Sequence, residues 1–280
     1  MTDPASAPPV MTGQDLLALP QPPADHTIAY GPAPQQVAEL RLPKGPGPHP
    51  VVVVIHGGCW QVPWAFDHVR GLASALAAEG FATWSLEYRR IGDPGGGWPG
   101  TLEDVARGVD HLREVAKAHP LDLDRVVALG HSAGGHLALW LAARHRLPPG
   151  SPFHARRPLG LRGVVSLAGI ADLRAGAASR VCGEAIPLLL GGPPEERALR
   201  LRQSSPIELV PLGVPQRLLW GSRDAIVPIE QARAYAAAAT EAGDAVEVRV
   251  LDDAGHFELV DPASSDYPAV RDAVRAILSR

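Results

Sequence analysis

Only two cysteines occur in the 280 residues, Cys59 and Cys182, far apart and in no metal-ligand spacing. So small a number argues against a disulfide framework and makes a reduced, cytoplasmic setting the default expectation. Long apolar runs are missing too. With no stretch of about 18 apolar residues, no segment is expected to span a membrane. The opening Met1-Thr2-Asp3-Pro4 has neither a positive n-region nor an apolar h-region, so no secretory signal is read there. There is no long basic run, and the net charge of -4 comes from intermixed signs. That excludes the electrostatic footprint of a nucleic-acid binder.

What is present is an ordinary globular balance, 46% apolar and 20% charged, enough to fill a core. The length fits one α/β domain. Residues 1–24, rich in Pro and Ala, read as a flexible N-terminal arm, and residues 25–280 as the domain itself.

The alternation in Val37-Ala38-Glu39-Leu40-Arg41-Leu42 predicts a half-buried edge strand. The continuous β-branched run Val51-Val52-Val53-Val54-Ile55 predicts a strand covered on both faces. Further strands are expected at 82–88, 125–129, 163–167, 216–220 and 246–251. Helices are expected at 69–79, 101–118, 133–144, 228–242 and 268–278. Strands separated by helices of this length imply a mostly parallel central sheet flanked by helices on both faces. The irregular stretch from Asp172 to Pro211 leaves room for a small cap of short helices.

The sharpest motif is Gly130-His131-Ser132-Ala133-Gly134, between the apolar run Val126-Val127-Ala128-Leu129 and a helical segment. A turn straight from strand to helix places Ser132 at an apex. Free N–H groups at the helix start then favour developing negative charge. A serine hydroxyl needs a general base, and the base needs an orienting carboxylate.

Two loops after late strands supply candidates: Asp224 after the strand ending at Trp220, and His256 after the strand ending at Leu251. Asp224 is favoured over Asp252 and Asp253, which precede His256 too closely to orient its ring from behind. It is also favoured over Asp172, which is placed in the cap. His136, one helical turn beyond Ser132, is expected to point into packing or hydrogen bonds along the helix rather than to act as base. His131 is expected to line the elbow. His56-Gly57-Gly58-Cys59-Trp60 follows the most apolar strand, and its glycines let the backbone approach a reacting carbonyl closely. The N–H groups of Gly58, Cys59 and Ala133 are therefore the candidate oxyanion donors. Trp60 and Trp98 are candidates for walls of a substrate pocket, against the plainer role of core aromatics.

Together, Gly130-His131-Ser132-Ala133-Gly134-Gly135-His136, His56-Gly57-Gly58-Cys59-Trp60, Glu87-Tyr88-Arg89-Arg90, Asp224 and His256 resemble the α/β-hydrolase superfamily. The nearest branch is that of esterases and arylformamidases with a His-Gly-Gly-x-Trp oxyanion loop, and the resemblance covers roughly residues 37–280. It implies an α/β-hydrolase fold with a small cap at most. It also implies Ser132 as nucleophile, Asp224 and His256 as its acid and base, and oxyanion donors at Gly58, Cys59 and Ala133. Lipase-like relatives carry a third glycine where this chain has Cys59, which favours the arylformamidase-like branch. Glu87, Arg89 and Arg90 are expected to form an ion-paired anchor.

The activity this implies is that of a serine carboxylesterase acting on small-molecule esters through an acyl-enzyme. An amidase acting on N-formylkynurenine and a non-catalytic binding member of the fold are the alternatives. No metal or organic cofactor is expected, because the glycine-rich turn at 130–135 houses a serine rather than a dinucleotide phosphate.

Overall fold

The computed structural model describes residues 9–279. Its first elements are a short helix α1 (Gly13–Leu17) and strands β1 (His26–Ala29), β2 (Val37–Arg41) and β3 (His49–Ile55). Helix α2 (Arg70–Ala78), strand β4 (Ala82–Leu86), helices α3 (Gly100–Asp110) and α4 (Leu112–Val115), and strand β5 (Leu121–His131) follow. After α5 (Ala133–Ala142) and β6 (Gly163–Leu167) come three helices, α6 (Leu173–Ala178), α7 (Ala185–Leu190) and α8 (Pro194–Ser204). The chain then runs through β7 (Gln216–Gly221), α9 (Glu230–Glu241), β8 (Val246–Leu251) and α10 (Tyr267–Leu278).

The strands form one sheet in the order β1-β2-β4-β3-β5-β6-β7-β8. β2 pairs antiparallel with β1 and β4, and every later pairing is parallel. β3, β4 and β6 are buried at nearly every position. Since successive side chains point to opposite faces, burial of all of them means that both faces are covered. Helices α5 and α10 both pack on β5 and β6, while α2 packs on β4 and α9 on β8.

The expected edge strand at 37–42 is instead second from the edge, with four of its five residues buried. The edge is β1, whose burial is slight and whose four residues carry no alternating pattern. The stretch from 172 to 211 does hold short helices, as expected.

Of the expected flexible arm at 1–24, residues 1–8 lie outside the described residues. The rest packs on the domain. Thr12 and Asp15 form a reciprocal capping box at the start of α1, and Leu16 is 1% exposed.

A further expectation is overturned. Cys59 and Cys182 form a disulfide with Cα atoms 5.7 Å apart, closing 123 residues of chain. The loop after β3 and the turn between α6 and α7 meet at one end of the sheet, and distance in sequence concealed that. The cysteine count therefore carries no argument about compartment. Among the described residues, no helix is long and apolar enough to cross a membrane.

Candidate active site

β5 runs directly into α5 through Ser132, whose backbone sits at φ 54°, ψ -120°. A non-glycine residue in this left-handed region is strained, and its surroundings must hold it there. The hold is visible on both sides. Ser132 N–H donates to Leu167 O of the neighbouring strand at 2.8 Å, and Ser132 O accepts from His136 N–H at 3.1 Å. A Cβ at Gly134 would stand 2.1 Å from Ile55 O, so only glycine lets α5 seat against the end of β3.

Asp224 and His256 project from the loops after β7 and β8. Asp224 Oδ2 accepts from His256 Nδ1 at 2.7 Å, and both side chains are nearly inaccessible. Asp224 Oδ1 is held by the N–H groups of Ile226 at 2.8 Å and Val227 at 2.9 Å, which fixes the carboxylate plane. The competitors are elsewhere: Asp252 and Asp253 are exposed, and Asp172 caps α6 through Arg174 N–H and Ala175 N–H.

His131 Nε2 donates to the carbonyl of His256 at 3.0 Å, pinning the loop that carries the ring. Ser132 and His256 line one pocket, and among the described residues neither Ser132 Oγ nor His256 Nε2 makes a hydrogen bond.

On the far side of the pocket lies the loop after β3. Gly58 at φ 103°, Cys59 at φ 54° and Trp60 at φ 56° are all left-handed. Gly58 has no room for a side chain, since a Cβ there would stand 2.1 Å from Trp64 Cβ. Cys59 adopts a conformation that favours glycine, and its side chain is tied to Cys182. The N–H groups of Gly58, Cys59 and Ala133 take no hydrogen-bond partner among the described residues.

The loop is anchored from behind. His56 Nε2 lies 2.9 Å from Glu87 Oε1, which also accepts from Tyr88 N–H, while Glu87 Oε2 accepts from Phe66 N–H. Burial raises the Glu87 pKa, but the His56 contact, Arg90 and the Tyr88 amide together bring it below the usual carboxylate value. Arg89 forks onto Asp104 and Arg90 pairs with Asp93, so the Glu87–Arg90 segment is an ion-paired anchor.

The pocket has a volume of about 140 Å³ and is lined by Leu16, Gly58, Cys59, Trp64, His68, His131, Ser132, Ile226, His256 and Phe257. Neither tryptophan proposed as a wall belongs to it. Trp60 is fully buried, its Nε1–H donating to His136 Nδ1 at 3.2 Å, and His136 Nε2 in turn donates to Ser204 O at 2.8 Å. Trp98 packs edge-on against Phe153, with Arg200 over its face. Both are packing aromatics. Trp64, Ile226, Phe257 and Leu16 take the walls instead, from loops and an arm that show no periodic signal. Three histidines here are held neutral by burial: His68, pushed down to about 3, His136, to about 4, and His131, well below its usual value. No metal-holding cluster of His, Cys, Asp or Glu occurs among the described residues.

Sheet order, strand-to-helix serine and loop-borne Asp–His pair define an α/β-hydrolase fold. The chain belongs to the BD-FAE family, whose model matches residues 39–238. It is 29% identical to the esterase LipQ of Mycobacterium tuberculosis over 268 residues, 87% of this chain and 62% of LipQ. It is 27% identical to LipC of the same organism, also an esterase, over 74% of this chain and 53% of LipC. The chain thus spans little more than half the length of these relatives. A truncated carbohydrate esterase from gut microbiota superposes with a TM-score of 0.78 at 19% identity, covering 92% of this chain and 99% of that one.

Proposed function

We propose that the protein is a serine carboxylesterase that cleaves small carboxylic esters through an acyl-enzyme. The observation that carries this reading is that Ser132 and His256, the latter bonded through Nδ1 to Asp224, line one pocket with Gly58 and Cys59, whose N–H groups take no partner among the described residues. Membership of the BD-FAE family and similarity to LipQ and LipC support an ester substrate.

In the first step His256 Nε2 takes the proton of Ser132 Oγ as that oxygen attacks the ester carbonyl. Asp224 holds Nδ1–H and so keeps Nε2 free as the acceptor, and it stabilises the imidazolium that forms. Charge on the carbonyl oxygen develops towards the N–H groups of Gly58, Cys59 and Ala133, which take no partner among the described residues and serve as the oxyanion donors. The alcohol leaves with the proton from His256. Water, deprotonated by the same ring, then releases the acid.

The test is a fluorophosphonate probe with mass mapping of the labelled residue, run beside turnover of short p-nitrophenyl esters and of N-formylkynurenine. Label on Ser132 with ester turnover exceeding formamide turnover is expected. Absence of label, or label on another serine, overturns the reading.

A further inference from the structure

The pocket holds one wall that belongs to none of the catalytic loops. Leu16, from the single-turn helix α1, is 1% exposed and lines the cavity that contains Ser132 and His256. The segment around it is fastened to the catalytic side of the molecule at several points. Met11 N–H donates to Glu258 Oε1, while Glu258 Oε2 accepts from Gly255 N–H at 3.0 Å. One carboxylate thus joins the segment to the loop bearing His256. Gly13 lies against Trp64 and Phe257, two other walls, and a Cβ there would stand 3.1 Å from the Trp64 ring. Val10 packs on Gly255 so closely that a Cβ at 255 would stand 2.9 Å from it. The Thr12–Asp15 capping box keeps the single turn wound, so Leu16 is presented on a fixed scaffold.

These walls share one chemistry. Leu16, Ile226 and Phe257 have no polar side-chain atom, and Trp64 is aromatic with a single N–H. Such walls chiefly contact the hydrocarbon part of a substrate. A cavity of about 140 Å³ is well below the roughly 300–1,000 Å³ of clefts that take drug-sized ligands.

We propose that residues 10–17 form the end wall of the substrate pocket, with Leu16 the specificity-determining residue that restricts the enzyme to esters of short hydrocarbon groups. This rests on the carboxylesterase reading above. In a hydrophobic pocket one methylene more or less is worth roughly 10–200-fold in kcat/KM, so changing the isobutyl group of Leu16 is expected to move the length optimum.

The experiment measures kcat/KM across two ester series, p-nitrophenyl esters from acetate to octanoate and acetate esters of alcohols from methyl to hexyl. It compares wild type, Leu16→Ala and Leu16→Phe, each checked by fluorophosphonate labelling of Ser132. Leu16→Ala is expected to raise the ratio of long-chain to short-chain kcat/KM by about tenfold or more in at least one series. Leu16→Phe is expected to lower it in the same series. Variants that label and turn over esters with the wild-type length profile in both series overturn the end wall and leave the esterase reading standing. A wild type that is not labelled and cleaves none of the esters overturns both.

Discussion

Cys59, in the loop that offers backbone N–H groups to the pocket, is bonded to Cys182, in the turn between α6 and α7. The bond ties the loop after β3 to the helical insertion, at a residue whose φ of 54° is a conformation more natural to glycine. Closing a loop of 123 residues is worth about 4–5 kcal/mol in the chain-entropy account. Cys182→Ser, or reduction of the wild type, is expected to lower Tm by on the order of 10 °C. It is also expected to reduce kcat more than it changes KM, because the loop that carries the proposed oxyanion donors loses its tie to Cys182. Thermal melts and steady-state kinetics with and without reductant check this. An unchanged Tm would remove the bond from the account of stability.

Asp224 accepts three hydrogen bonds, from the N–H groups of Ile226 and Val227 and from His256 Nδ1. Asp224→Asn keeps the shape but permits the wrong tautomer. Its kcat is expected to fall by about 10³–10⁴ while KM changes little, as substitutions of this kind do in serine hydrolases. Ser132→Ala is expected to abolish ester turnover and probe labelling with the far-UV spectrum intact. Near-full activity in either variant defeats the proposed chemistry.

The buried histidines set an acid limit. His68, His131 and His136 have folded pKa values far below the ordinary 6.5, each chiefly because burial penalises the charged ring. On unfolding they regain the ordinary value and bind protons that the folded state refuses. Stability is therefore fully present above about pH 6.5 and is lost progressively as the pH falls towards 4 and 3, the folded values of His136 and His68. The lowered Glu87 pKa acts in the same direction at still lower pH, below the ordinary carboxylate value. Urea midpoints measured from pH 8 to 4.5 are expected to drop steadily below 6.5. A flat profile would show that these rings are solvated in the folded protein.

Gly134→Ala places a methyl group where Ile55 O and His56 O already stand, at 2.1 and 2.5 Å. Neither carbonyl can move without breaking the end of β3, so the substitution is expected to cost at least the 1–3 kcal/mol usual for overpacking. Probe labelling of Ser132 is expected to be lost with it. A Gly134→Ala protein with wild-type melting and labelling would mean that α5 sits further from β3 than described.

The catalytic candidates were legible because their signals are local. A strand, a tight turn and a helix around Ser132 are contiguous in sequence, and His256 and Asp224 each follow a recognisable strand. The walls were not legible. Trp60 sits beside the donor glycines in sequence, yet its side chain turns into the core to meet His136. Leu16 stands about 116 positions from Ser132 in a segment whose composition suggested looseness, and only tertiary packing brings it to the cavity. β1 gives no signal for a related reason: an exposed four-residue edge strand carries no hydrophobic alternation. The disulfide is not legible in sequence because pairing depends on which loops share an end of the sheet, and two cysteines alone do not report that.

With Gly134 pressed against the carbonyls that end β3, the serine turn and the neighbouring loop after β3 leave no room for a side chain between them. Neither can be reshaped without disturbing the other. Diversification of what the pocket accepts must then come from its borrowed edges, above all residues 10–17 and the loop bearing Trp64. A mutational library aimed at new acceptance has its productive positions there, and substitutions inside the turn would mostly yield dead protein.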